Sequence, residues 1–181
     1  MIRVPWWKIN IKNENLIKIN NTFKSKLFSE GIVTKKLETK IKKILNVKCV
    51  IATTSGTSAI LLLLIYLKKK FPNKKEIIIS NRSWISPAHA AHALDLKLNL
   101  VDTKKNYPIA NEEEIIKNIN KNTLAIICVQ LNGKSVNINL IKKSKNYKKF
   151  KPFILEDAAQ SFFSKYDNKF IGTFGDAGIL S

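Results

Sequence analysis

Three short stretches of this chain combine residue types that chemistry uses. In Thr54-Ser55-Gly56-Thr57-Ser58-Ala59 a glycine sits among hydroxyls, just ahead of a long apolar segment. Free N–H groups at a helix start, beside a glycine and hydroxyls, make an anion site. The Gly-Lys-Ser/Thr ending of a P-loop is missing, and a single glycine does not make a dinucleotide fingerprint. Taken alone, the stretch also suits an ordinary Ser/Thr-capped helix. Asn81-Arg82-Ser83-Trp84 follows the apolar run Glu76–Ser80 and puts an indole where its face could meet a flat ligand. The same indole also suits rim packing. Phe153–Phe162, FILEDAAQSF, ends an apolar run on Glu156-Asp157, followed by Ala158, Ala159 and Gln160. A carboxylate buried at a strand end has to be paired or hydrogen-bonded. An aspartate there can keep a ring nitrogen protonated, with the alanines allowing close approach and Gln160 reaching a second polar atom. It can also simply cap the next helix.

These stretches need a framework that brings them together. Leu16, Ile19, Phe23 and Leu27 recur at helical spacing, as do Leu37, Ile41, Ile44 and Leu45, with Ser29-Glu30-Gly31 as the break. Beyond that the pattern alternates. Cys49–Thr53 predicts a strand, Thr57–Lys70 a helix, Glu76–Ser80 a strand, Pro87–Leu94 a helix and Lys97–Asp102 a strand. Asn111 reads as the N-cap of a further helix, with Glu112, Glu113 and Glu114 in its first turn. Leu124–Leu131 predicts a strand, residues 138–147 a helix, and Pro152–Asp157 the last strand. Strands that are apolar throughout predict an α/β fold of three layers, a mostly parallel sheet flanked by helices. Ligands of such sheets sit beyond the carboxyl ends of the strands, where all three stretches fall. An anion cradle, an aromatic plate, a carboxylate and an amide on one edge suit a phosphorylated, flat, cationic heterocycle. Pyridoxal phosphate is such a molecule.

Composition narrows the alternatives. Across 181 residues, 32 lysines and arginines face 13 acidic residues, a formal charge of +19. Only Arg3 and Arg82 are arginines, so the guanidinium fork that reads bases and phosphates is nearly absent, and a nucleic-acid partner is not expected. Lys68-Lys69-Lys70 and Lys148-Lys149 fall where helices end and complement the helix dipole. Cys49 and Cys128, each within an apolar run, suggest neither a zinc site nor a disulfide framework. The opening residues lack a signal peptide's apolar core, and Ala59–Leu67 is too short to span a bilayer and reads as a buried helix. A cytoplasmic, soluble protein without a membrane partner is expected. His89, His92 and Asp95 lie three apart on a predicted helix and read as an exposed side, so no metal is expected. Asp176 reads as part of a turn or sheet and not as a catalytic acid.

The ordered set SEG (Ser29–Gly31), TSGTSA (Thr54–Ala59), NRSW (Asn81–Trp84), LVD (Leu100–Asp102), VQLNGK (Val129–Lys134), EDAAQS (Glu156–Ser161) and GTFGDAGILS (Gly172–Ser181) resembles the DegT/StrS family. These are fold-type I pyridoxal phosphate enzymes, mostly aminotransferases of nucleotide-linked keto-sugars. The resemblance runs from about Ser29 to Ser181. It implies a helical lead-in over residues 1–28 and a partial cofactor-binding large domain over 29–181. It also implies that Gly56 and Thr57 hold the cofactor phosphate, Trp84 stacks on the pyridine ring, and Asp157 is the catalytic carboxylate at the ring nitrogen. Gln160 would lie near the ring hydroxyl, and Ser181 would add a phosphate contact.

In that family the Schiff-base lysine lies five positions beyond the matching serine, and here the sequence stops at Ser181. The expectation is the N-terminal part of an enzyme, inactive by itself and a homodimer when complete. Gln130 stands where relatives often carry histidine and Asn132 where many carry tyrosine. Thr34–Glu38 lacks the glycine-proline often found there. These departures bear on the sugar more than on the cofactor. The implied reaction moves an amino group from a donor, glutamate in most of the family, to the keto-sugar. Two alternatives stand beside it: a sugar dehydratase of the same fold, in which histidine replaces the lysine, and a non-catalytic interaction module.

Overall fold

The computed structural model describes residues 11–26 and 31–181. The chain divides into two compact units, Met1–Ala52 and Thr53–Ser181. The expected boundary after residue 28, together with Leu27, Ser29 and Glu30, lies outside the described residues.

In the first unit, α1 (Asn13–Ser25) and α2 (Ile32–Leu45) carry the helical periodicities of the sequence. Each ends on a left-handed residue, Lys26 at φ 56° and Asn46 at φ 53°, whose N–H bonds back to the last turn. The strand expected at Cys49–Thr53 is not formed. Apolar composition alone does not make a strand, because the backbone must find a neighbour to ladder with. Here Ile51 is 75% exposed, and the Ala52 N–H donates instead to Glu38 Oε1 at 2.8 Å.

The second unit follows the order α3 (Gly56–Lys70), β1 (Glu76–Ser80), α4 (Ser86–His92), β2 (Lys97–Val101), α5 (Glu112–Asn118) and β3 (Thr123–Val129). It continues through α6 (Ile138–Lys143), α7 (Lys145–Phe150), β4 (Phe153–Asp157), the hairpin β5 (Lys165–Tyr166) and β6 (Lys169–Phe170), and β7 (Ala177–Ile179). One sheet of order β2-β1-β3-β4-β7 is parallel throughout. Its central strands are apolar at every position because both faces are covered, and all seven residues of β3 are buried. Alternate side chains feed two cores. Ile77, Ile79, Ile127 and Leu155 pack with α3 and α4, and Ile78, Ile126 and Ile154 with α5 and α6. Each fully buried Ile or Leu contributes about 1.5–3 kcal/mol, so this double face is what holds the three layers together.

Local chemistry sets the element ends. Asn111 Oδ1 accepts from the Glu113 N–H at 3.0 Å to open α5, and the lysine clusters close α3 and α7. Three details depart from the sequence reading. The helix over 138–147 breaks at Ser144, which ends α6 and whose Oγ accepts from the Tyr147 N–H at 3.2 Å to start α7. Helix α3 is buried on one side only: Ile60, Leu64 and Leu67 face inward, whereas Leu62, Ile65 and Tyr66 are exposed, because a helix lying on a sheet hides one stripe. The β5–β6 hairpin turns through Asp167 and Asn168, both left-handed, and carries no long apolar run that would announce it. Among the described residues no helix is long and apolar enough to cross a membrane.

Candidate functional site

The carboxyl edge of the sheet gathers the chemistry. Ser55 caps α3, its Oγ accepting from the Ser58 N–H at 3.1 Å and its carbonyl from the Ala59 N–H at 3.1 Å. The N–H groups of Gly56 and Thr57 find no acceptor among the described residues, and at a helix start they carry the positive end of its dipole. Gly56 lies against the segment after β7. A Cβ there would sit 3.4 Å from Ser181 Cβ, 3.5 Å from Ile179 Cγ2 and 3.6 Å from Ser181 Oγ. The fold therefore sets Gly56 beside Ser181. Thr57 Oγ1 donates to Ser86 Oγ at 2.9 Å, fastening the start of α3 to the start of α4.

Glu156 and Asp157 are neighbours in sequence with different surroundings, because successive strand residues face opposite layers. Asp157 shares its face with Leu155, on the α3 side, and pairs in register with Ile179 of β7. The Ala158 N–H donates to the Ile179 carbonyl at 2.9 Å, so this strand end is joined to the segment that touches Gly56. Asp157 is 6% exposed and accepts from the Ala159 N–H at 3.2 Å. Burial pushes its carboxyl pKa up, and the Ala159 N–H offsets this only in part. No other hydrogen bond reaches this carboxylate among the described residues. It has acceptor capacity to spare in a poorly solvated position.

Glu156 faces the other way and has none to spare. Its Oε1 accepts from the N–H groups of Phe174 at 2.5 Å and Gly175 at 2.6 Å. Its Oε2 accepts from the Gly172 N–H at 2.9 Å and Gln130 Nε2 at 3.1 Å. Glu156 thus pins the 172–175 loop under the sheet. Gln130 is equally committed, its Oε1 accepting from the Val136 N–H at 2.8 Å. Period-two alternation along β4 was the signal that could have separated the two carboxylates in the sequence.

The remaining candidates are less connected. Trp84 is 68% exposed on the loop after β1, two residues before the Ser86 that Thr57 holds. Gln160 is exposed, and its carbonyl accepts from the Gly133 N–H at 3.3 Å. No hydrogen bond or ring contact joins Trp84 or Gln160 to Asp157 among the described residues. Asp176 accepts from the Ile154 N–H at 2.7 Å, which places it at the start of β4 and away from the carboxyl edge. His89, His92 and Asp95 are exposed, and no group of three potential metal ligands converges among the described residues. Ser86 is the participant that the sequence did not single out.

Residues 9–181 match the DegT/DnrJ/EryC1/StrS aminotransferase family. The chain is 30% identical over 167 residues to GDP-4-keto-6-deoxy-D-mannose 3-dehydratase of Escherichia coli O55:H7, spanning 90% of this chain and 42% of that protein. It is 30% identical over 156 residues to GDP-perosamine synthase of Escherichia coli O157:H7, spanning 84% and 41%. The solved structure of E. coli GDP-4-keto-6-deoxy-D-mannose-3-dehydratase with bound hydrated PLP superposes with a TM-score of 0.86 at 28% identity. That match covers 97% of this chain and 46% of the other. The chain thus spans less than half the length of these relatives. With the parallel sheet, the cradle at α3 and the family match in agreement, the chain belongs to the DegT/DnrJ/EryC1/StrS aminotransferase family.

Proposed function

We propose that this chain forms the cofactor-gripping part of a pyridoxal-phosphate-dependent aminotransferase that passes an amino group, from a donor such as glutamate, to a nucleotide-linked keto-sugar. The observation that carries the reading is the pairing of two features on one sheet edge. One is an anion cradle in which Gly56 lies against Ser181 at the dipole end of α3. The other is Asp157, a buried carboxylate with an unfilled acceptor, on the same side of the sheet. The residues fit the group. A Cβ on Gly56 would fill the cradle, and a protonated ring nitrogen is what a desolvated carboxylate lacks. When bound, pyridoxal phosphate supplies an electron sink for the carbon that gains or loses the amine.

The chain's own residues divide the remaining work. Gly56 and Thr57 N–H groups with Ser181 Oγ hold the phosphate, and the Thr57–Ser86 bond fixes the cradle against the Trp84 loop. Asp157 holds a proton on the ring nitrogen, Trp84 covers a ring face, and Gln160 bonds near the ring hydroxyl. The reading includes a homodimer and a cytoplasmic location.

A second reading, a sugar dehydratase of the same fold, is favoured by one observation: the dehydratase and the perosamine synthase are equally similar to this chain, at 30% identity each. Product analysis with the full-length gene product separates them, by gain of an amine or loss of water. The cofactor reading is tested by titrating pyridoxal phosphate into the chain by absorbance and fluorescence. Saturable binding is expected, weakened about tenfold or more by Gly56→Val, with no unique lysine trapped by borohydride. Unchanged binding in Gly56→Val would remove the cradle from the account.

A further inference from the structure

Immediately past Gln160 the chain makes a tight turn whose outer side is aromatic. Phe162 and Phe163 are 50% and 38% exposed, with ring centroids 4.3 Å apart. Phe163 has φ 56°, in the left-handed region that bulky residues avoid. Such a backbone persists where its surroundings over-determine it, and these do. Ser161 is buried, its Oγ donating to the Gln130 carbonyl at 2.7 Å and its N–H to the Ala158 carbonyl at 2.9 Å. The Ser164 N–H donates to the Ser161 carbonyl at 3.0 Å, and the Ser164 carbonyl accepts from the Ile171 N–H at 2.9 Å. The turn is thus tied to the ends of β3 and β4, and it holds two apolar rings in water at a cost that glycine would not incur.

Cations lie on the neighbouring hairpin and turn. Phe163 stands 5.6 Å from Phe170, over which Lys165 Nζ lies at 4.8 Å. Lys134 and Lys169 are also exposed, Lys134 on the turn whose Gly133 Cβ position is 3.4 Å from Ser164 Oγ. Asp167 is the one acid of the hairpin. An exposed aromatic pair on a turn whose adjoining hairpin and loop carry exposed lysines matches a ligand with a flat base at one end and a polyanion beside it.

We infer that Phe162 and Phe163 form a stacking platform for the base of the nucleoside diphosphate that carries the sugar, with Lys134 and Lys165 facing its phosphates. This rests on the function proposed above and adds to it. The residues assigned there are all given to the cofactor. The platform starts two residues beyond Gln160, on the same carboxyl edge of the sheet.

The test titrates GDP, UDP and inorganic pyrophosphate into the parent chain, Phe162→Ala, Phe162→Trp and Phe163→Gly, with pyridoxal phosphate binding measured on each. Stacking on an aromatic side chain is worth a factor of roughly 5–150 in affinity. The expected result is a loss of that size for GDP and UDP in Phe162→Ala and Phe163→Gly, with affinity kept in Phe162→Trp. Pyrophosphate and pyridoxal phosphate binding stay as in the parent. Phe163→Gly suits a φ of 56° and tests the platform even where Phe162→Ala fails to fold. Nucleotide affinity unchanged in Phe163→Gly, or a parent chain that binds GDP no better than pyrophosphate, overturns the platform while leaving the cofactor reading intact. A parent chain that binds no pyridoxal phosphate overturns both.

Discussion

Replacing Glu156 by glutamine, beside Asp157 by asparagine, sets two adjacent isosteric changes against each other. Each Glu156 oxygen accepts two N–H donors, from Phe174 and Gly175 on one side and from Gly172 and Gln130 on the other. A glutamine amide has one accepting oxygen, so two of the four donors would face an NH2 group instead. Hydrogen bonds to a charged group contribute about 1.5–3 kcal/mol each, giving a loss of about 3–6 kcal/mol. Relief from burying the charge offsets part of this, and we expect about 3 kcal/mol, a large share of the ~5–15 kcal/mol typical of a domain. Asp157 accepts a single backbone bond, which an asparagine oxygen can keep, and its charge is already disfavoured by burial. Asp157→Asn is therefore neutral or stabilising at pH 7. Urea unfolding followed by tryptophan fluorescence measures both. If Glu156→Gln costs under about 1 kcal/mol, or Asp157→Asn costs as much as Glu156→Gln, the division between a structural and a functional carboxylate is wrong.

The same carboxylate makes stability depend on pH. Because burial raises the pKa of Asp157, the folded chain binds its proton more tightly than the unfolded chain. Stability therefore falls as pH rises from the ordinary aspartate value of 3.8 through the raised folded value, and Asp157→Asn flattens that slope in Tm against pH. On the proposed function, Asp157→Ala in the full-length gene product cuts transamination far more than Asp176→Ala, which loses the bond to the Ile154 N–H and lowers Tm by the equivalent of about 1 kcal/mol. Equal losses of activity would misplace the ring nitrogen. Gly178→Ala puts a Cβ 2.0 Å from the Gly172 carbonyl oxygen, so β7 or the 172–175 loop must move, at about 3 kcal/mol in chemical unfolding.

The sheet was legible because its inner strands are buried on both sides, and β1, β3 and β4 read as unbroken apolar runs. The same cue misled at Cys49–Thr53, where the composition is alike but no neighbouring strand supplies a ladder. Being a strand is a property of a pair, and a single sequence displays one member. The β5–β6 hairpin escaped notice because two-residue strands have no period to detect. At the site, the helix start at Gly56 and the acid at Asp157 were visible as local chemistry, whereas nothing in their spacing places Ser181 beside Gly56. That assignment came through the ordered motifs. Glu156 stands beside Asp157 in the same stretch, yet one residue of advance along a strand reverses the side chain, and its work is done in the opposite layer.

Gly56 begins the first helix of its unit, and Ser181 follows the last strand. A molecule that grips both is a clasp on everything threaded between them. Its binding energy, about 2.7 kcal/mol at a hundredfold excess over Kd, is drawn upon by any opening that carries β7 away from α3, wherever the opening starts. Saturating ligand accordingly slows protease cleavage at sites remote from the cradle, along with those at its lip.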